Sequence, residues 1–136
     1  MKKALLAAFS SILILLFLLI FFTLYGWLIR YVEITNALNS SMEHAIAQLQ
    51  FDEGVPASED VWINAFAESV AMQINSHSDL EIHIYEADID KGLLSAEAVL
   101  TFLNPIGNET SVTSGKRTIL LEEYVITQNM NLSLNN

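Results

Sequence analysis

The sequence predicts an α+β fold hung from one N-terminal transmembrane helix, and three observations predict it. Residues 4–29 form a run of 26 without a charged side chain. Apolar residues then recur at helical spacing as far as Leu49, and again from residue 59 to 75. From Leu80 onward the period changes to two, and turn-forming residues divide that stretch into three strands.

The apolar run comes first. At about 1.5 Å per residue it extends roughly 39 Å, enough to cross a hydrocarbon core of about 30 Å with some tilt. Leu13, Leu16, Leu19 and Phe22 mark its lipid-facing body, and Tyr25 and Trp27 its outer anchor, joined by Tyr31. Such amphipathic rings prefer the headgroup layer. Ser10, Ser11 and Thr23 can bond back to the preceding turn. Lys2, Lys3 and the terminal amine precede the run, and Arg30 and Glu33 follow it. The positive-inside bias places residues 1–3 in the cytoplasm and the remainder outside the cell membrane. A cleaved signal peptide has a shorter apolar region and a small-x-small cleavage site. Here the run is too long and the residues after it, Tyr25 to Ile29, are mostly bulky. An uncleaved single-pass anchor is the reading that fits.

Ile34, Leu38, Met42, Ala45 or Ile46, and Leu49 continue the helix as an amphipathic extension. Steps of three and four keep this stripe on one face, available for packing or for a partner, while Glu33, Asn36, Asn39, Ser40 and Glu43 take the others. Gly54 and Pro56 signal the stop. Ser58 offers an N-cap, with Glu59 and Asp60 suited to the positive end of the helix dipole. The second helix carries Ile63, Phe66, Ala67, Val70 and Ile74 as its stripe, with Trp62 at the edge.

Leu80, Ile82 and Ile84 alternate with polar residues as in a half-buried strand. A turn is expected at residues 88–92. A second strand over 93–103 turns Leu94, Ala96, Ala98, Leu100 and Phe102 to one face. Asn104, Pro105, Gly107 and Asn108 signal another turn. A third strand is expected over 110–125, with a bulge at Gly115. Short turns between neighbouring strands make an antiparallel meander. The organisation is then a cytoplasmic start (1–3), a transmembrane helix (4–29), an extracytoplasmic α+β domain (30–126) and a flexible polar tail (127–136) that frays.

Charge and composition narrow the function. All 16 acidic residues lie after Arg30 and only Lys91, Lys116 and Arg117 oppose them there, so residues 31–136 carry a net charge of −13. A field of that sign repels nucleic acid and anionic lipid. There is no cysteine, which removes disulfides, thiolate metal sites and thiol catalysis. Glu86, Asp88 and Asp90 are close together, but an EF-hand loop counted from Asp88 would place Val99 where it needs Glu. His44, His77 and His83 lack zinc-site spacing, and no nucleophile elbow or phosphate-binding glycine loop occurs. The Lys116–Arg117 pair reads as balancing the acidic sheet. No catalytic, cofactor or metal site is expected, and no cofactor. The Asn-x-Ser/Thr matches at Asn39, Asn108 and Asn131 carry weight only in a eukaryotic source.

The layout resembles the TadE/TadG-like pseudopilin proteins of tight-adherence (Flp-type) pilus and secretion systems. The resemblance is carried by the basic start, by the membrane helix running through Tyr31 and Asn36-Ala37-Leu38-Asn39 into an amphipathic helix, and by the small sheet that follows. The segment from Leu94-Ser95-Ala96-Glu97 through Asn104-Pro105-Ile106-Gly107-Asn108 to Lys116-Arg117-Thr118-Ile119-Leu120 is similar to small proteins of this sort from Gram-positive bacteria. The resemblance implies a pilin-like rod and head without catalytic residues. It implies a structural or assembly subunit whose partners are the membrane and other envelope or pilus-assembly proteins; separately, the long uncharged membrane helix can pack laterally, which allows a homo-oligomer through the helix. Members processed by prepilin peptidase have a Gly just before the apolar run and a Glu soon after its start. Here Lys3 precedes the run and the run holds no Glu, which points to a membrane-resident assembly role. The competing expectation is an extracytoplasmic accessory or sensor-type binding subunit of another membrane complex.

The full-length chain is expected to stay in the membrane pellet after alkaline carbonate extraction. A shortened form in the medium would mean cleavage and would overturn the anchor.

Overall fold

The computed structural model describes residues 1–50, 56–103 and 110–134. The fold is α+β in the order α1 (Lys2–Gln50), α2 (Glu59–Gln73), β1 (Asp79–Asp88), β2 (Leu93–Leu103), β3 (Thr110–Leu120) and α3 (Leu121–Leu134). The stops expected at Gly54 and at residues 104–108 lie outside the described residues.

α1 is one uninterrupted helix of 49 residues. With neither Pro nor an internal β-period to break it, the helix carries the apolar run directly into the folded head. Ile34, Ala37, Leu38, Ser41, Met42, Ala45 and Ile46 form its buried face. α2 begins on Ser58, whose hydroxyl accepts from the Val61 amide at 3.4 Å, with Glu59 and Asp60 in the first turn. Its buried residues are Trp62, Phe66 and Val70, at helical steps of four. Trp62 is therefore central and not at the edge: it is fully buried and its Nε1 donates to the Ala45 carbonyl at 3.0 Å. Ile63, expected in the stripe, is half-buried. A large ring with one donor suits a buried site only when that donor is satisfied, and α1 supplies the acceptor.

The three strands form an antiparallel sheet in the order β1-β2-β3. The central strand turns Leu94, Ala96, Ala98, Leu100 and Phe102 onto the helices, all buried. The alanines leave room for Ile34, Leu38 and Phe66 to approach the sheet. Among the described residues the one register shift lies in β1 between Ile84 and Glu86, where Tyr85 is the extra residue. The bulge explains why core-facing residues change phase from Leu80, Ile82 and Ile84 to Ala87 and Ile89. Gly115, where a bulge was expected, pairs regularly with Ala98. A Cβ there would meet Leu38 and Thr35 at ordinary contact distances of 3.7 Å.

The third strand ends at Leu120, short of the expected residue 125, and the chain becomes helical as far as Leu134 where a frayed tail was expected. One contact and one electrostatic preference favour the switch. The Leu121 amide donates to the Gly92 carbonyl at 2.8 Å, fixing the corner. Glu122 and Glu123 then fall in the first helical turn, where the dipole favours acids. Gly92 has φ 61°, and a Cβ there would overlap the Leu121 side chain, so the corner needs glycine on both counts.

Leu38 sits 1% exposed between α2 and the sheet. Leu38→Asp is expected to destabilise the head by several kcal/mol, because a buried carboxylate there has no partner. Limited proteolysis of the detergent-solubilised chain checks this, and unchanged protease resistance would count against the packed stripe.

Candidate functional site

The membrane-side surface is the most sharply differentiated part of the molecule. α1 is long and apolar enough to cross a membrane, with a mean hydropathy of 3.0 in its most apolar window and none of that window buried within the protein. The expected anchor residues Leu13, Leu16, Leu19, Phe22, Tyr25 and Trp27 all lie exposed along it. Ser11 and Thr23 return their hydroxyls to the carbonyls of Ala8 and Leu19, both at 2.9 Å, so they add no unpaired donor to the rod. Phe21 stacks on Tyr25 and Trp27 stacks on Tyr31, with ring centroids 6.1 and 5.4 Å apart. Each pair is spaced i, i+4 and lies along the rod.

One turn further on, a polar collar joins the rod to the head. The Arg30 guanidinium lies 4.2 Å from the centre of the Phe102 ring. Its Nε donates to Ser78 Oγ at 3.3 Å and its Nη1 to the Gly26 carbonyl at 3.1 Å. Glu33, one turn beyond, receives the amides of Asn75 and Ser76 on Oε1 at 2.7 and 3.1 Å. The collar therefore ties α1 to the segment between α2 and β1 and to Phe102 at the end of β2. Burial pushes the Glu33 carboxyl upward. The Ser76 hydroxyl, the two amides and the charge of Arg30 outweigh it and hold the group below its ordinary value of 4.5.

The stripe residues Ile34, Leu38, Met42 and Ile46 are buried in the head, and Leu49 packs partly buried against the same core. The first four face α2 and the sheet and present no surface to a partner, while Leu49 keeps part of its side chain exposed. On the next turns outward, Arg117 donates to the Asn39 carbonyl and to Glu43 Oε1, each at 3.3 Å. A cleft of about 310 Å³ lies beside this pair, lined by Glu43, Arg117, Ile119, Glu123, Tyr124 and Gln128. Lys116, on the opposite face of β3, sits 4.1 Å from the centre of the Tyr85 ring. The Tyr85 hydroxyl donates to Glu97 at 2.5 Å; this bond raises the Tyr85 pKa and lowers that of Glu97.

The acidic triplet does not act as a unit. Asp88 is committed to its own turn, accepting from the Lys91 amide at 2.9 Å and pairing with Lys91 Nζ at 3.0 Å. These contacts hold its carboxyl below the usual range. Among the described residues no group of three His, Cys, Asp or Glu is placed to hold a metal ion. None of the described serine hydroxyls is hydrogen-bonded to a histidine; His83 lies beside Glu81 at 3.4 Å on the exposed face of β1.

Sequence reasoning missed the collar. Local spacing reads Arg30 and Glu33 as charges flanking the apolar run, with Glu33 also off the apolar stripe. Their three-residue spacing on one helix was visible; their partners, 42 to 72 residues away in the chain, were not. No protein-family model, curated protein or solved structure matches this chain.

Glu33→Gln keeps the shape of the collar and removes its charge. Because the folded-state pKa is depressed, the stabilisation is present above the ordinary glutamate value and is lost as the pH falls through the folded-state value. The variant is expected to be less stable at pH 7 by about 1 kcal/mol, a modest figure because solvent screens this half-buried site. Thermal unfolding in detergent micelles, followed by circular dichroism, should show the gap closing below pH 4.5. A gap independent of pH would mean that the ionised carboxylate contributes nothing.

Proposed function

We propose that this chain is a membrane-anchored structural or assembly subunit of the TadE/TadG-like pseudopilin type, serving a bacterial envelope pilus or secretion system through protein–protein contacts. The observation that carries the reading is the single unbroken α1, exposed and apolar in its first half and buried against an α2–sheet head in its second. Such a molecule displays a folded head at a fixed height above the bilayer. In this reading Lys2 and Lys3 lie in the cytoplasm and the acidic head lies outside.

The stripe on α1 is consumed inside the head, so partner contacts fall to other surfaces. The membrane rod can pack laterally in lipid. α3 exposes Val125, Ile126, Met130 and Leu132. Lys3 immediately before the apolar run, with no Glu inside it, supports a subunit that stays in the membrane.

The absence of native cysteine permits single-site labelling. Ser133→Cys is expected to react with a membrane-impermeant maleimide in whole cells, while Lys2→Cys reacts only after lysis. The reverse pattern would end the topology. Photo-crosslinking in intact membranes is expected to capture polytopic assembly proteins of a pilus or secretion system. Capture of a transporter or a protease complex would favour the accessory-subunit reading.

A further inference from the structure

β3 is an edge strand, with β2 on one side of it and no strand on the other. The Leu121 amide donates to the Gly92 carbonyl, and the register carries that pairing on to Leu94–Ile119, Ala96–Arg117 and Ala98–Gly115. In an antiparallel ladder such pairs alternate with pairs whose peptide groups point away from each other. Val112, Ser114, Lys116 and Thr118 therefore turn their N–H and C=O groups to the free side, and all four are exposed. Among the described residues no other strand or turn pairs with them. The opposite edge, β1, is guarded by the bulge at Tyr85 and by the carboxylates of Asp79, Glu81, Glu86 and Asp88. β3 has no bulge, proline or acid over its 11 residues. Its outward lysine, Lys116, is drawn across the sheet onto the Tyr85 ring.

The cleft of about 310 Å³ opens on this edge. Its lining takes three consecutive β3 residues, Arg117, Thr118 and Ile119. Successive side chains of a strand point to opposite faces, so the cleft reaches around the free side. Glu43 of α1 and Glu123 of α3 also line it, and Arg117 is already bonded to Glu43. A strand laid beside β3 sends a side chain into a space that holds two carboxylates and one guanidinium. Charge selects lysine or arginine there, and the net charge of −13 on residues 31–136 attracts a basic segment from a distance.

A second copy of β3 does not fit. β3 climbs alongside α1: Gly115 lies against Thr35 and Leu38, and Arg117 bonds to Asn39 and Glu43. Two copies anchored in one bilayer hold β3 in the same direction, so antiparallel pairing would invert one anchor. Parallel pairing sets the outward residues of one strand opposite the inward residues of the other. That stagger of one residue, about 3.3 Å, cannot arise from a two-fold axis along the membrane normal.

We propose that the free edge of β3 takes up an extended, basic segment of another envelope protein as a fourth strand, with a lysine or arginine of that segment entering the cleft beside Glu43 and Glu123. Main-chain bonds to Val112, Ser114, Lys116 and Thr118 supply the affinity, and the cleft supplies the specificity. The inference rests on the assembly reading above and names a surface through which it acts.

The test uses the full-length chain in detergent micelles and a probe peptide of alternating valine and threonine around one central lysine. Amide hydrogen exchange at Val112, Ser114, Lys116 and Thr118 is expected to slow about fivefold or more on adding the peptide, while Leu80, Ile82 and Ile84 on the β1 edge keep their rates. A peptide with glutamate in place of the lysine is expected to give less than half that protection, and Glu43→Gln to narrow the difference between the two. Ser114→Pro removes only an outward donor, so it is expected to abolish the protection while the Leu94 and Ile119 signals keep their positions. No protection, equal protection by both peptides, or protection of β1 instead would overturn the proposal. Protection that appears without peptide as the protein concentration rises would overturn it in favour of self-association. A photo-reactive side chain at position 114, compared in intact membranes with one at position 126 on α3, separates the two readings. Capture of assembly proteins from position 126 and not from 114 rejects the edge alone. Capture from neither position, with the peptide still protecting β3, counts against the assembly reading and leaves the edge as a strand-binding site.

Discussion

The hydrogen-bond ladder of α1, continued without a break from an apolar exterior into a packed core, is the constraint on which the rest of the molecule depends. The first half of the rod is long and apolar enough to cross a membrane, and a helix pairs its own peptide groups where lipid would offer them nothing. The second half stays helical because one face, from Ile34 to Ile46, is covered by α2 and the sheet. A helix is stiff in rotation, so the face that points into the head also determines which face of the membrane segment points away from it. Head orientation and rod orientation are therefore a single variable.

Polar groups inside the head are placed where they reinforce that arrangement. Ser41 on α1 shares a hydrogen bond with Ser69 and receives one from Gln73, both on α2, at 2.9 Å each. Trp62 returns its donor to the α1 carbonyl of Ala45. Ser95 and Thr118 join β2 to β3 across the sheet at 2.8 Å. Left unpaired, each of these groups would cost more than its bond contributes, so they select one register of helix on helix and strand on strand. Arg30 and Glu33 do the same at the lower end of the head, and Arg117 with Glu43 along its flank.

This allocation bears on function. The most conspicuous apolar stripe in the outer sequence is spent within the chain, and the apolar side chains left exposed lie mainly on the first half of α1 and on α3. The outer face of the sheet is less suited to association. There Tyr85, Glu97 and Lys116 form a local set of polar contacts on a strongly acidic background, a surface that discourages close approach of a similar one.

The α+β class, the apolar rod, the N-cap at Ser58 and the alternation along β2 were legible because each is a local pattern, with period 3.6 or 2 or a turn residue at a fixed offset. The phase change from Ile84 to Ala87 was also present in the sequence, but locating the bulge required knowing which residue of β2 opposed which of β1. Trp62, the helix from Leu121 and the Arg30–Glu33 collar were decided only in three dimensions. Their signals are an acceptor on another helix, a glycine carbonyl from a distant turn, and partners brought to the foot of the rod by the sheet. Local spacing records which residues share a face; it carries no information on what the folded chain will lay against that face.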